Sequence, residues 1–132
     1  MPWLATPEGA LSLVLLLDQY PRNAFRGTTR MYDTDPLARI VADAALGLGH
    51  DKAVDPALSL FFTLPFGHSE HLADQERAVA LCAVLPDPAP DHARAHRDII
   101  ARFGRFPHRN AILGRASTDE ETDWLQAGGF AG

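Results

Sequence analysis

In two short segments of the chain, a proline is followed within three residues by an arginine and then an asparagine. They are Tyr20-Pro21-Arg22-Asn23, named here the YPRN segment, and Phe106-Pro107-His108-Arg109-Asn110, named the FPHRN segment. A guanidinium group presents paired planar donors that bind a carboxylate or a phosphate bidentately. Further arginines lie close to each segment, Arg26 after the first and Arg105 before the second. These residue types at these positions favour a site for a small anion.

A structural interpretation of the same residues is also open. Asp18 lies on an otherwise apolar helix, and an unpaired carboxylate in a protein core is very costly. Arg22 and Arg26 follow it by four and eight residues, so Asp18 is expected to pair with one of them. Such a pair either stabilises the fold alone or orients an arginine toward a ligand. Asn23 and Asn110 suit turn or capping conformations at the end of a helix.

A third polar motif is Phe66-Gly67-His68-Ser69-Glu70-His71, followed by Asp74 and Gln75. If a helix begins at Ser69, the side chains of His71, Asp74 and Gln75 share one helical face. The motif lacks the HExxH arrangement of a zinc site, so no metal and no cofactor is predicted. Ser69 as an N-cap and Glu70 near the helix start explain part of the motif without a ligand.

The preferred hypothesis is a pocket in which these three segments meet and bind a small anionic metabolite. The binding arginines would be Arg22, Arg26, Arg105 and Arg109. His68 and His108 are the catalytic candidates, because histidine titrates near neutrality without perturbation. The other ligand-binding candidates are Asp18, Asn23, Glu70, Asp74 and Asn110. The alternative is an interaction module whose concave surface binds a peptide, and whether the protein is an enzyme is left open.

Helices must position these residues, and four segments carry helix-start chemistry. Thr6-Pro7, Asp35-Pro36 and Asp55-Pro56 each combine a side-chain acceptor with proline at the first helical position. Residues 117–120, Ser-Thr-Asp-Glu, are typical of a capping box. Pro21 is expected to end the first helix and Gly104 the fifth. The predicted helices cover residues 7–19, 36–46, 56–64, 69 or 70 to the residues before Pro86, 90–103 and 118–127.

The pattern predicts an all-α fold of about six helices in one domain, residues 1–132. No segment alternates apolar and polar residues over the length of a strand, and short connections favour antiparallel helix hairpins. The connection from Pro21 to Thr34 is the exception, since it is long and polar, and long loops are often functional. Leu58, Phe61, Phe62 and Phe66 form an apolar face that is expected to be buried, as is the lone cysteine, Cys82.

Composition excludes several classes of protein. The formal charge of −5 argues against a general nucleic-acid binder. Eleven of the twelve basic residues are arginine, which reflects either a GC-rich genome or a function for the arginines. The longest apolar stretch, residues 11–17, is far shorter than a membrane span, and no secretory signal is recognisable. A soluble, cytoplasmic protein is therefore expected.

Three stretches resemble one bacterial family, that of domain of unknown function 924. They are LLLDQYPRNAFRG at residues 15–27, LPFGHSEHLADQER at 64–77 and RFGRFPHRNAILGR at 102–115. The resemblance spans nearly the whole chain and implies a tetratricopeptide-repeat-like stack of helices, with no activity attached. Family members usually carry further residues upstream. If those cover the first helix, its apolar face would be exposed here and the chain would form a homodimer through it.

Overall fold

The structure is a computed structural model that describes residues 2–132. Within that range the chain forms α-helices, 3-10 turns and irregular segments and has no β-strand, which confirms the predicted all-α class. The helices are shorter and more numerous than expected. They are α1 (Pro7–Val14), α2 (Tyr20–Ala24), α3 (Asp35–Gly47), α4 (Pro56–Ser59), α5 (Leu64–Gly67), α6 (Leu72–Cys82), α7 (Ala89–Phe103), α8 (Asn110–Leu113) and α9 (Asp119–Gln126).

Two of the predicted proline helix starts are confirmed. Thr6 accepts a hydrogen bond from the Gly9 amide at the start of α1, and Asp55 accepts one from the Ala57 amide at the start of α4. The third differs, because Thr34 occupies the cap position of α3 and Asp35 is its first residue. The Asp35 carboxylate bonds an arginine side chain instead of capping the helix.

Pro21 does not end the first helix as expected. After α1 the chain widens into a π-helical turn, Leu15–Gln19, and continues directly into α2, which contains Pro21. Proline lacks an N–H, so the carbonyl of Leu17, four residues earlier, cannot receive the usual helical hydrogen bond. The Thr34 hydroxyl donates to this carbonyl at 2.6 Å. The YPRN segment therefore lies inside a helix, and the expected long loop is partly helical.

The predicted helix at residues 56–64 is replaced by two single-turn helices, α4 and α5, with a 3-10 turn, Leu60–Phe62, between them. Phe62 and Phe66 are fully buried as expected, and Phe61 is half-buried. Leu58 was expected in the core but is 41% exposed. Helix α6 begins at Leu72, later than expected. The Ser69 hydroxyl donates to Asp74 and accepts from the amide of His71, the residue before the helix, and the helix has no side-chain cap.

Small residues allow the helices to pack closely around three apolar clusters. The first joins α1, α3, α5 and α6 and contains Ala10, Val14, Val41, Ala42, Ala45, Phe62, Phe66 and Ala78. The second lies in the α6–α7 hairpin and contains Cys82, Ala89 and Ala93, which confirms that the cysteine is buried. The third contains Ile99, Ile100 and Phe106, and it fixes the FPHRN segment against the end of α7.

Two local features of the sequence set the end of α7 and the start of α9. Helix α7 ends at Gly104, which has a φ of +73° and is the expected left-handed stop. Helix α9 opens with a reciprocal capping box between Thr118 and Glu121, one residue later than the sequence pattern suggested. Across residues 2–132, no helix combines the length and the apolar character needed to cross a membrane.

Candidate functional site

A cavity of about 320 Å³ lies where the YPRN segment, the turn at His68 and the FPHRN segment converge. This volume is at the lower end of the range for small-molecule sites in proteins. It is named the arginine–histidine cavity here. Its walls combine cationic, imidazole and aromatic side chains with the last residues of the chain: Arg22, Arg26, Gly27, Met31, Tyr32, His68, His96, Phe106, His108, Arg109, Ile112, Phe130, Ala131 and Gly132.

Arg22 on α2 is held by two carboxylates. It forms a bidentate pair with Asp35, at 2.7 and 2.9 Å, and a further hydrogen bond of 3.1 Å to the Asp18 carboxylate. Burial disfavours the charged form of the guanidinium, but Asp35 and Asp18 outweigh that and raise the pKa of Arg22. The predicted Asp18–Arg22 pair is thus present, and most of the donors of Arg22 are occupied within the protein.

Asp18 also binds His68. The Asp18 side chain is 1% exposed, and its Oδ1 lies 2.8 Å from His68 Nδ1. Burial alone would raise the pKa of Asp18, but His68 and Arg22 outweigh it and hold this pKa below its ordinary value. An ionised Asp18 accepts the Nδ1–H of His68, which leaves Nε2 as the reactive nitrogen of the ring. Because His68 lines the cavity, the Asp18–His68 pair has the arrangement of an oriented general base.

Arg109 differs from Arg22 in its partners. Its residue is only 7% exposed, yet it forms no ion pair with any carboxylate in residues 2–132. Nη2 donates to the His68 carbonyl at 2.7 Å, while Nε is buried without a hydrogen-bond acceptor. The rings of Tyr32 and Phe106 lie 4.4 and 4.7 Å from its guanidinium carbon. Burial lowers the pKa of Arg109. A buried guanidinium held by aromatic faces has donors left for an anion.

Two further histidines complete the wall. Burial lowers the pKa of His96 and of His108 to about 4 each, so both are neutral near pH 7. His108 Nδ1 is buried and has no hydrogen-bond partner within the described residues. Phe130 lies against both rings, with centroids 4.7 Å from His96 and 5.0 Å from His108. This side of the cavity is aromatic and uncharged.

Glu70 supports the FPHRN segment from behind the cavity. Arg115 forms a bidentate pair with its carboxylate at 2.8 and 3.1 Å, and the Phe106 amide donates to it at 2.6 Å. Burial opposes ionisation, but Arg115 and this amide outweigh it and lower the pKa of Glu70. Arg115 also donates to the Asn110 side chain at 2.9 Å. Glu70 and Asn110 therefore position Arg109 without lining the cavity.

Arg105 points away from the cavity and pairs with Glu121. Its Nε and Nη2 lie 2.9 and 2.7 Å from the two oxygens of this carboxylate, and Nη2 also donates to the Ala116 carbonyl at 2.7 Å. Arg105 and the Thr118 amide, opposed by burial, lower the pKa of Glu121 to about 2. The pair joins α9 to the residue just before the FPHRN segment, so Arg105 stabilises the fold and does not line the cavity.

The structure brings some of the predicted site residues together and leaves others apart. Five line the cavity, namely Arg22, Arg26, His68, His108 and Arg109. Asp18 does not line it but is hydrogen-bonded to His68, which does. Asn23 is exposed on α2, and Asp74 receives the Ser69 hydroxyl at 2.6 Å. Neither asparagine is a left-handed turn residue, because no residue other than glycine in the range 2–132 has a positive φ.

Sequence reasoning missed several residues of the site. Asp35 was assigned to a helix cap, and Tyr32, Phe106 and Phe130 carried no signal beyond being aromatic. His96 lies ten residues before the FPHRN segment and was not among the predicted site residues. The one signal available for Tyr32 was its place in a long arginine-rich connection. Within residues 2–132, no group of three or more histidine, cysteine or acidic side chains is placed to hold a metal ion.

A second cavity, of about 310 Å³, lies in an apolar groove between α4–α5 and the α6–α7 hairpin. Its lining includes Leu60, Leu64, Leu85 and Ala93, and it shares His96 with the arginine–histidine cavity. Cys82 lies in this groove, where burial raises the pKa of its thiol. The groove contains none of the charged residues predicted for the site.

The fold and the cavity define an all-helical protein with buried arginine and histidine side chains around a space of small-molecule size. The chain belongs to the family described as bacterial protein of unknown function DUF924, which matches residues 1–129 and confirms the resemblance seen in the sequence. A solved structure of a protein of unknown function, ATU0120 from Agrobacterium tumefaciens, is 55% identical with a TM-score of 0.94. The match covers 96% of this chain and 72% of that one. A comparison with curated proteins found no match.

Proposed function

We propose that the arginine–histidine cavity binds a small anionic metabolite, with Arg109 as its principal cation. The observation that carries the proposal is the burial of Arg109 without a carboxylate. Charged side chains are almost never fully buried unless they are paired, and leaving donors of a buried charge unsatisfied costs free energy. An anionic ligand in the cavity would accept hydrogen bonds from the terminal N–H groups of Arg109, which lines the cavity, and would compensate its charge.

The other predicted binding residues have different parts in this proposal. Arg26 is exposed at the cavity wall and attracts an anion to it. Arg22 orients the Asp18–His68 pair, because most of its donors are already used. Asp18, Glu70, Asp74, Arg105 and Asn110 hold the surrounding segments in place. Of the predicted binding residues, Arg109 and Arg26 thus retain donors for a ligand.

Within the same proposal, His68 is the proton-transfer group of a reaction in this cavity. Its Nδ1 is fixed by a buried carboxylate, an arrangement that orients a general base in many enzymes. His108, the other candidate, has no such acid beside it, and its lowered pKa makes it a weak base. His108 instead offers a neutral hydrogen-bonding edge to the ligand.

A screen with matched variants tests this function. We expect members of a panel of carboxylates and phosphate esters, at constant ionic strength, to raise the melting temperature of the protein, since a ligand that binds the folded state stabilises it. Arg109→Met should abolish the effect. Arg102→Met is the matched control, because Arg102 is exposed and paired with Glu120 outside the cavity.

The same screen includes His68→Gln, which should retain ligand binding and lose any turnover of the bound compound. Binding that survives Arg109→Met would contradict the proposal, as would a panel in which no compound stabilises the protein. A general loss of stability in Arg109→Met would be visible without ligand, so each variant is compared with its own unliganded melting temperature.

The apolar groove favours a second function, the tetratricopeptide-like peptide binding predicted as the alternative. Its lining of leucine, alanine and proline side chains suits an apolar peptide segment. The pairing of Arg22 and Arg105 with carboxylates also agrees with that alternative, in which the arginines only stabilise the fold. The unpaired Arg109 favours the anion pocket, and we therefore place it first.

A further inference from the structure

Resting on the anion pocket proposed above, we infer that its ligand is a monocarboxylate attached to an aromatic or aliphatic body, and is not a phosphate ester. Two independent features of the cavity support this choice of ligand class. One is the sum of the charges around Arg109, and the other is the composition of the remaining wall.

The charges near Arg109 match an anion that carries one negative charge. Arg22 lies between Asp18 and Asp35, so this group has one more carboxylate than guanidinium. Adding Arg109 brings the charge of these four side chains to zero, and Arg26, which is exposed, brings the sum for the aspartate and arginine side chains to one positive charge. Glu70 adds nothing, because Arg115 neutralises it.

A phosphate ester carries between one and a half and two negative charges at about neutral pH. Here it would meet Arg109 and the exposed Arg26, with the carboxylates of Asp18 and Asp35 nearby. The neighbouring imidazoles of His96 and His108 are neutral and supply no further positive charge. The second charge of a phosphate would therefore remain uncompensated, whereas one carboxylate brings the summed charge of these side chains to zero.

The rest of the wall fits an apolar body. Besides Arg109, the cavity is lined by the rings of Tyr32, Phe106 and Phe130 and by Met31 and Ile112. A carboxylate bound by the guanidinium places its substituent among these groups. Burial of apolar surface there contributes roughly 25 cal/mol per Å2. A carboxylate without a larger apolar substituent, such as acetate, would leave that part of the cavity unused.

The inference is tested by calorimetric titration of the full chain, above the pH at which the phosphonate loses its second proton, with phenylacetate and three compounds that each differ from it in one property. Phenylacetate has the carboxylate and the ring, benzylphosphonate replaces the carboxylate by a phosphonate, phenylacetamide removes the charge, and acetate removes the ring. We expect phenylacetate to bind and the other three to bind roughly tenfold or more weakly. Arg109→Met should abolish the binding of phenylacetate, and Arg102→Met should leave it unchanged.

The outcomes separate this inference from the anion pocket itself. If benzylphosphonate binds as tightly as phenylacetate and its binding depends on Arg109, the carboxylate class is wrong while the anion pocket stands. If phenylacetamide binds as tightly as phenylacetate, both are wrong, because charge then contributes nothing. If acetate binds as tightly as phenylacetate, the apolar body contributes nothing to binding, and that part of the inference is wrong. Failure of phenylacetate to bind also overturns the inference. The melting-temperature screen with carboxylates and phosphate esters then tests the anion pocket separately.

Discussion

Arg22 and Arg109 occupy similar sequence contexts and differ in their partners. Each follows a proline and precedes an asparagine. Arg22 meets two carboxylates contributed by different helices, Asp18 and Asp35, whereas Arg109 meets two aromatic rings and a backbone carbonyl. At the scale of the residue, the two arginines therefore differ in whether a carboxylate pairs with them, which a sequence pattern cannot distinguish.

Asp18 is the residue whose removal should have the largest effect on stability. We expect Asp18→Asn to lower the free energy of unfolding by about 3 kcal/mol, because the buried donors of His68 and Arg22 lose a charged acceptor. Arg22 retains Asp35, which limits the loss. The measurement is urea unfolding at neutral pH.

The matched control for Asp18→Asn is Asp43→Asn. Asp43 also pairs with an arginine, Arg77, but both side chains are exposed, so its loss should cost at most about 1 kcal/mol. Equal effects of the two substitutions would show that the Asp18 cluster does not stabilise the fold.

At the scale of the element, the π-helical turn decides where Arg22 points. Pro21 was expected to end a helix, because proline cannot donate the helical hydrogen bond. The chain continues because the helix widens at Leu15–Gln19 and the Thr34 hydroxyl satisfies the carbonyl of Leu17. Thr34 lies at the start of α3, so this contact also joins the first helical run to α3 beside Asp35.

A double-mutant cycle tests this account of the turn. Thr34→Val preserves the shape of the side chain and should lower the free energy of unfolding by about 1 to 2 kcal/mol, because the Leu17 carbonyl loses its donor. In a Pro21→Ala background the same substitution should cost less, since the N–H of an alanine at position 21 is able to donate to Leu17. Urea unfolding of the four proteins measures the coupling.

Thr29→Val provides the comparison for this cycle. Thr29 is exposed, and its hydroxyl donates to no residue in the range 2–132, so its replacement should change stability little. If Thr34→Val costs the same with and without Pro21, the hydroxyl does not substitute for the missing proline N–H.

The short helices α4, α5 and α8 were the part of the fold that the sequence predicted least well. Helices α3, α7 and α9 lie close to their expected positions because proline, glycine and a capping threonine mark their ends in the sequence. Helices α4, α5 and α8 have four residues each and too few positions to show a helical period. Their conformation depends on tertiary contacts, as at the buried Phe62 and Phe66.

At the scale of the whole molecule, the neutral histidines make stability depend on pH. The folded-state pKa values of His96 and His108 are about 4, against an ordinary value of 6.5. The unfolded chain therefore takes up protons first, so the contribution of these residues is complete above pH 6.5 and is lost as the pH falls toward 4. We expect urea unfolding to show a falling free energy of unfolding across this window.

The double variant His96→Gln and His108→Gln should reduce the pH dependence in that window, whereas His71→Gln, at an exposed position, should not. Glu121 changes the free energy of unfolding at lower pH. Its stabilising contribution is present above the ordinary pKa of 4.5 and is lost as the pH falls toward 2. An unchanged pH dependence in the double variant would contradict the assignment of the buried neutral histidines.

Pairing of two copies through an apolar helix face stays a prediction. Leu16 and Tyr20 are exposed on the first helical run, and Leu37 and Ile40 are exposed on α3. Single exposed apolar side chains are common on proteins and do not by themselves define an interface.

The sequence by itself determined the all-α class, the family, the approximate bounds of α3, α7 and α9, and the three polar segments from which the site was predicted. These follow from local chemistry, such as proline and threonine at helix starts, or from residue patterns that need no coordinates. Only the tertiary structure decided the role of each polar side chain. Arg22, Arg105 and Arg109 are chemically identical, and their roles depend on the distance to a carboxylate on another element. Those distances are set by helix packing, which brings Asp35 to Arg22, Glu121 to Arg105 and no carboxylate within ion-pair distance of Arg109 among residues 2–132.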